Sequence, residues 1–283
     1  MEDEETPEIE EDKAKSLKKL LMIAVPAVVV LIGLAVFFLG GGEEEPATGK
    51  EDPRFVKAMQ LVEKKSYDMA LYNLDLILKE NPKDARVLSA SADVKLLMGR
   101  YKDAANFANR ALEADSKSAR ALAVLGQLAL SRARFEKALE YERQALKINP
   151  ELVRPYWVIG DIYLRTGKSR EAVQVLEQAA RLAAEDATVQ ASLSAAYLKV
   201  KDYDNTLKYA KVAMALDPDL PGAHFNLARV YFHFKKPHLT LRHAKQAEKL
   251  YRERDMTQWA AKAKQLFQVA AKKFKMRPED VGG

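Results

Sequence analysis

The sequence predicts an all-α protein: one N-terminal transmembrane helix, then an α-solenoid of six helix–turn–helix repeats closed by a C-terminal helix. Three observations predict it. An uncharged run fills residues 20–39; Pro82, Pro150 and Pro218 recur at twice a 34-residue period; and the register they set lines small residues into columns. With 12 glycines and 11 prolines in 283 residues the chain is neither collagen-like nor of low complexity. It has no cysteine, which excludes a disulfide framework, a thiol nucleophile and Cys-ligated zinc.

Residues 1–19 open with eight acids in the first twelve positions, a composition expected to stay disordered, and continue with Lys13, Lys15, Lys18 and Lys19. The run LLMIAVPAVVVLIGLAVFFL (20–39) follows. At about 1.5 Å per residue a helix of that length spans roughly 30 Å, the thickness of a hydrocarbon core. Pro26 falls in its first two turns, where a membrane helix tolerates it. Four lysines precede the run and GGGEEEP follows it, so the Lys/Arg count places the N-terminus in the cytoplasm and the remainder across the membrane. A cleaved signal peptide would have a shorter apolar region and a small-residue cleavage site, which the sequence does not show. Residues 40–50 read as a flexible linker reaching about 35 Å at most.

Setting the three prolines at position 32 of the unit starts repeats at 51, 85, 119, 153, 187 and 221 without insertion or deletion. Position 8 then reads Ala58, Ala92, Gly126, Gly160, Ser194, Ala228; position 20 reads Ala70, Ala104, Ala138, Ala172, Thr206, Thr240. Position 27 reads Ile77, Ala111, Ala145, Ala179, Ala213, Ala247. Small side chains in fixed columns mark where two antiparallel helices cross closely. Larger residues fill position 11 (Leu61, Tyr163, Tyr197, Tyr231) and position 17 (Tyr67, Tyr101, Phe135, Tyr203). Each unit is expected to carry one helix near positions 2–14 and a second near 18–31. A single unit cannot bury its apolar face, so stacking supplies the core. Repeat 1 places Arg54 and Lys57 at usually apolar positions, as suits an end helix. After repeat 6, Asp255 and Gln258 read as an N-terminal capping box. Trp259, Ala263, Leu266, Phe267, Ala270 and Phe274 then form an apolar stripe, expected to be a capping helix over 255–276, with 277–283 as a tail.

The segments YDMALYNLDLILKENP (67–82) and FEKALEYERQALKINP (135–150) resemble the second helix of a tetratricopeptide repeat and its closing proline. YWVIGDIYLRTG (156–167) resembles the first helix and turn of the same repeat, and the resemblance covers 51–254. It implies a concave groove lined by the first helices through positions 2, 5, 9, 12 and 13. Carried over residue by residue, it nominates Arg86, Arg120 and Arg154 as a ladder for carboxylates. It nominates Phe55, Met59, Trp157, Phe225 and Phe232 as apolar anchors, with Asp161, Arg165 and Arg229 beside them. The resemblance does not extend to the family's clamp for chaperone C-termini, because position 9 offers Met59, Asp93 and Gln127 instead of Asn.

Charge is unevenly spread. Residues 1–50 hold 5 Lys against 11 acids, whereas residues 221–277 hold 14 Lys and Arg against 3 acids. Lys235, Lys236, Arg242 and Lys245 are the candidate basic patch, for an acidic partner or anionic lipid. An outward-facing domain makes nucleic acid an unlikely partner. All four histidines (His224, His233, His238, His243) lie in repeat 6, but their spacing does not pair them at i and i+4, so no metal site is expected. Phosphate loops, nucleophile elbows and zincin motifs are missing, so neither an enzyme nor a cofactor is expected. The expected role is a membrane-tethered scaffold, resembling bacterial membrane-anchored tetratricopeptide proteins of the inner membrane with repeats in the periplasm. It would hold a partner segment in the groove and support an envelope complex. The alternatives are an organelle-surface receptor with cytosolic repeats, or binding through the basic end.

Overall fold

The computed structural model describes residues 51–276, which form thirteen α-helices. The pairs are α1 (Pro53–Glu63) and α2 (Tyr67–Glu80), α3 (Ala85–Leu97) and α4 (Tyr101–Ala114), α5 (Ala119–Ser131) and α6 (Phe135–Ile148). They continue as α7 (Val153–Arg165) and α8 (Ser169–Leu182), α9 (Ala187–Lys199) and α10 (Tyr203–Leu216), α11 (Pro221–His233) and α12 (Pro237–Glu253), with α13 (Thr257–Phe274) last. The expected tail, membrane span and linker (1–50) and the 277–283 tail lie outside the described residues. Among those described, no helix is long and apolar enough to cross a membrane.

In the regular repeats both helices begin one position earlier than the spacing predicts, and local capping explains the first. Asp84 accepts the Val87 N–H, and Asp186 accepts those of Thr188 and Val189, so these acids at position 34 close the helix start of the next unit. One turn back, Asp115, Asn149 and Asp217 accept the N–H of the residue two further on at 2.9 Å, ending each second helix in a side-chain turn.

The small columns are the helix crossings. Every position-20 residue, from Ala70 to Thr240, has no exposed surface, and so do the alanines at position 27. Thr206 and Thr240 stay dry because each hydroxyl donates to the carbonyl four residues back, at 2.6 and 2.8 Å. The large columns are mostly only partly buried: Tyr197 is in the core, whereas Tyr101 is 51% exposed. From α3 to α13 each first helix packs directly on the next first helix, whereas second helices meet the following repeat chiefly through its first helix. First helices therefore sit closer together and line the inner face. Inter-repeat hydrogen bonds fix the stack: Asn226 Nδ2 donates to the Ala191 carbonyl at 2.9 Å inside the core.

Position 15 adopts a left-handed backbone in all six repeats, at Lys65, Gly99, Ala133, Gly167, Lys201 and Lys235, with φ from 54° to 79°. The conformation lets the chain reverse, and Gly is the residue that accepts it without Cβ crowding. Ala133→Gly is expected to raise stability by about 1 kcal/mol and Gly167→Ala to lower it by about as much, read from denaturant midpoints.

The capping box is not formed. Asp255 itself is left-handed at φ 55°, and the Met256 N–H reaches back to the Tyr251 carbonyl at 2.9 Å. Asp255 thus repeats the position-15 reversal after a second helix that runs on to Glu253, and Met256 precedes α13 without a side-chain cap. The capping helix does lie on the last pair, burying Ala260, Ala263 and Ala270.

Candidate functional site: the first-helix face

Along the inner face, position 9 forms a half-buried row from Asp93 through Gln127, Asp161 and Ala195 to Arg229, and position 13 an exposed row of Leu97, Ser131, Arg165, Lys199 and His233. The floor is polar, which differs from the aromatic lining expected. Phe55 and Met59 are 3% and 4% exposed, since α1 folds them into the stack and Arg86 lies 4.2 Å above the Phe55 ring. Phe225 is buried because Trp259 and Tyr251 close edge-on over it at 6.1 and 6.3 Å. Phe232 is capped by Phe274 at 5.6 Å and by the Lys273 ammonium at 4.4 Å. The C-terminal helix therefore covers two of the expected anchors. Trp157 stays half-buried, its indole N–H donating to Ser192 Oγ of the next repeat at 2.9 Å.

The arginine ladder exists as a column but not as a free one. Arg120 and Arg154, from successive repeats, both turn to Asp93, the first at 3.7 Å and the second in direct contact. Arg86 pairs with Glu51 at 3.0 Å. Arg165 pairs with Asp161 at 2.8 Å, and burial raises the Asp161 carboxyl above its ordinary range against that pull. The candidate arginines of repeats 2–4 are thus paired within the stack.

Arg229 is different. It is half-buried, burial pulls its guanidinium below the ordinary value, and its electrostatic neighbour is the Tyr203 phenol. The Phe225 ring lies 5.9 Å away, and among the described residues no carboxylate pairs with it. A partly desolvated guanidinium without an anion is a costly arrangement that an incoming carboxylate relieves. Resemblance placed Arg229 in the groove; its singular lack of a partner was visible only once the neighbouring acids were placed.

The basic patch divides. Lys235 and Lys236 sit in the α11–α12 turn, whereas Arg242 and Lys245 lie on the exposed side of α12 beside His243. Among the described residues no group of three or more His, Cys, Asp or Glu could hold a metal. Away from the inner face, Met69, Tyr72 and Tyr101 on α2 and α4 stay 51–65% exposed.

Tetratricopeptide-repeat family models match residues 61–128 and 158–221, and a model of anaphase-promoting complex, cyclosome, subunit 3 matches 97–179. Over residues 61–128 and 158–221 the chain is thus similar to tetratricopeptide repeats. Solved structures agree on the fold. The APC/C hetero-tetramer Cut9–Hcn1 is similar with a TM-score of 0.66 at 17% identity, over 77% of this chain and 42% of that one. The pilF protein of Pseudomonas aeruginosa gives 0.57 at 20% identity, over 70% and 90%. A thermophilic tetratricopeptide protein of Thermus thermophilus gives 0.52 at 23% identity, over 62% and 96%. No curated protein matches the sequence.

Proposed function

We propose that this tetratricopeptide protein is a non-enzymatic, membrane-tethered scaffold that holds a segment of a partner protein across the first-helix face of repeats 4–6. Arg229 takes a carboxylate of that segment. The observation that carries the reading is Arg229 itself: a half-buried cation on the inner face with no acid beside it, where every other arginine of the candidate groove is paired. Trp157 in repeat 4 and Ala195 in repeat 5 supply apolar surface on the same first-helix face, and Lys199 a second cation at the rim. The uncharged run 20–39 supplies the tether, and the four lysines before it support a periplasmic position on a bacterial inner membrane, where such a scaffold would assist an envelope complex.

Capture from native membranes tests this. The wild-type chain is expected to recover a defined partner, and Arg229→Glu to reduce recovery at least ten-fold, while Arg252→Glu on the outer side leaves it unchanged. A chain starting at residue 51 is expected in the soluble fraction. Equal recovery by both charge reversals would remove the groove from the account.

A further inference from the structure

Two imidazoles that the inner face does not use meet at the joint between repeats 5 and 6. His224, in the first turn of α11, and His243, on α12, bring their Nδ1 atoms within 2.9 Å, and His224 Nε2 lies 2.8 Å from the Pro218 carbonyl oxygen. A carbonyl only accepts, so His224 carries its proton on Nε2 and its Nδ1 accepts the proton of His243 Nδ1. The Tyr231 ring stacks on His243 at 5.6 Å. In repeats 2 and 3 these two positions hold Leu88 with Phe107 and Leu122 with Tyr141, which join the apolar core. Repeat 6 has exchanged an apolar contact for two polar rings.

Beside the rings opens a cleft of about 550 Å³ bounded by His224, His243, Gln246, Arg242, Lys245 and Lys249. Arg242, Lys245 and Lys249 stand at i, i+3 and i+7, one face of α12. Among the described residues no carboxylate lines the cleft: Glu248 is engaged by Arg252 at 2.6 Å, and Glu253 reaches only the last lysine, at 3.8 Å. The wall of the cleft is mostly the apolar stems of these side chains, and three cations and an amide donor at its rim concentrate anions and offer charge-assisted hydrogen bonds to one of them. The volume falls within the usual range of small-ligand sites, about 300–1,000 Å³.

We propose that this cleft binds a phosphate-bearing anion, with Arg242, Lys245 and Lys249 taking its oxygens above the histidine pair. Phosphate suits three cations spaced along one helix face better than a lone carboxylate does, since it presents three or four oxygens. The rings report occupancy. Burial, His224 and Arg242 hold His243 down at about 4, and an anion seated beside it favours the protonated ring. The cleft is formed on the second-helix side and does not depend on the Arg229 groove.

The test uses the full chain reconstituted in phosphatidylcholine vesicles and follows the imidazole nitrogen signals of His224 and His243 by NMR. Inorganic pyrophosphate is expected to shift both signals saturably and to raise the His243 titration midpoint. Arg242→Gln with Lys245→Gln should weaken that binding at least ten-fold, while Lys262→Gln with Lys272→Gln on α13, equal in charge removed, leaves it intact. If saturation appears only when phosphatidic acid replaces part of the phosphatidylcholine, and is lost in the cleft variant alone, the phosphate belongs to a lipid headgroup and the site stands. No saturable shift with either probe, or equal weakening by both double variants, overturns the proposal.

Discussion

Glu142→Leu is expected to stabilise the protein by about 3 kcal/mol at pH 7, the largest gain from any single substitution considered. Glu142 has no exposed surface, and neither carboxyl oxygen finds a hydrogen-bond partner. Burial pushes its pKa up to about 9, against the pull of the Arg154 charge. The folded state therefore holds a proton that the unfolded chain releases near 4.5. Stability contributed by that proton is complete below about 4.5, falls by about 1.4 kcal/mol per pH unit above it, and is gone above the folded pKa of about 9. The wild type should lose stability across this window, whereas the variant should lack this component. Leucine fits because the repeat already uses it: Leu74 and Leu176 occupy the same register position with no exposed surface. Gly126 leaves room for residue 142, as Gly160 does for Leu176. Denaturant melts at pH 5, 7 and 9 check the claim, and equal wild-type and variant stability at pH 7 would contradict it.

Gly160→Ala is expected to destabilise by about 3 kcal/mol, because the new Cβ falls 2.5 Å from Leu176 Cγ and 2.6 Å from its Cδ2. Leu176 is fully buried in the cluster with Leu193, Ala196 and Tyr197, so it has nowhere to move. Repeats 2 and 6 solve the same crossing with two alanines, Ala92 over Ala108 and Ala228 over Ala244, all without exposed surface. Leu176→Ala should therefore cost less in the Gly160→Ala background than in the wild type, with a coupling of about 2 kcal/mol between the two sites. Additive losses would mean that the volumes of residues 160 and 176 are not matched in repeat 4.

The parts of the fold set by periodic, local chemistry were legible in the sequence. Three columns of mostly small residues at a 34-residue spacing located the crossings from Ala58 to Ala247, since close helix packing favours small side chains there. Helix ends were less legible. Asp255 looked like a cap, yet the extra turn of α12 moved it into the left-handed reversal.

The candidate site was legible only as a list of positions. Register placed Arg86, Arg120 and Arg154 in one column, but not that Asp93, 61 residues before Arg154, would draw two of them together. Phe225 and Phe232 were expected to be open because a repeat-by-repeat reading does not include what packs against the final repeat; Trp259 and Phe274 come from outside the period. Two signals were present and unused. The position-24 column reads Leu74, Ala108, Glu142, Leu176, Ala210, Ala244, in which a lone acid marks a buried carboxyl. His224 and His243 fall on positions that pack together in other repeats, so the same register brings them into contact although they are 19 residues apart.

The central claim is that the inner face around Arg229 receives a partner chain. Site-specific photocrosslinking in native membranes tests it directly, with the probe at Ala195 on the inner face or at Tyr72, 65% exposed on α2. The account predicts one discrete crosslinked species from position 195, lost in Arg229→Glu, and none of that species from position 72. The same species from position 72 alone would move the partner to the outer apolar surface and contradict the account.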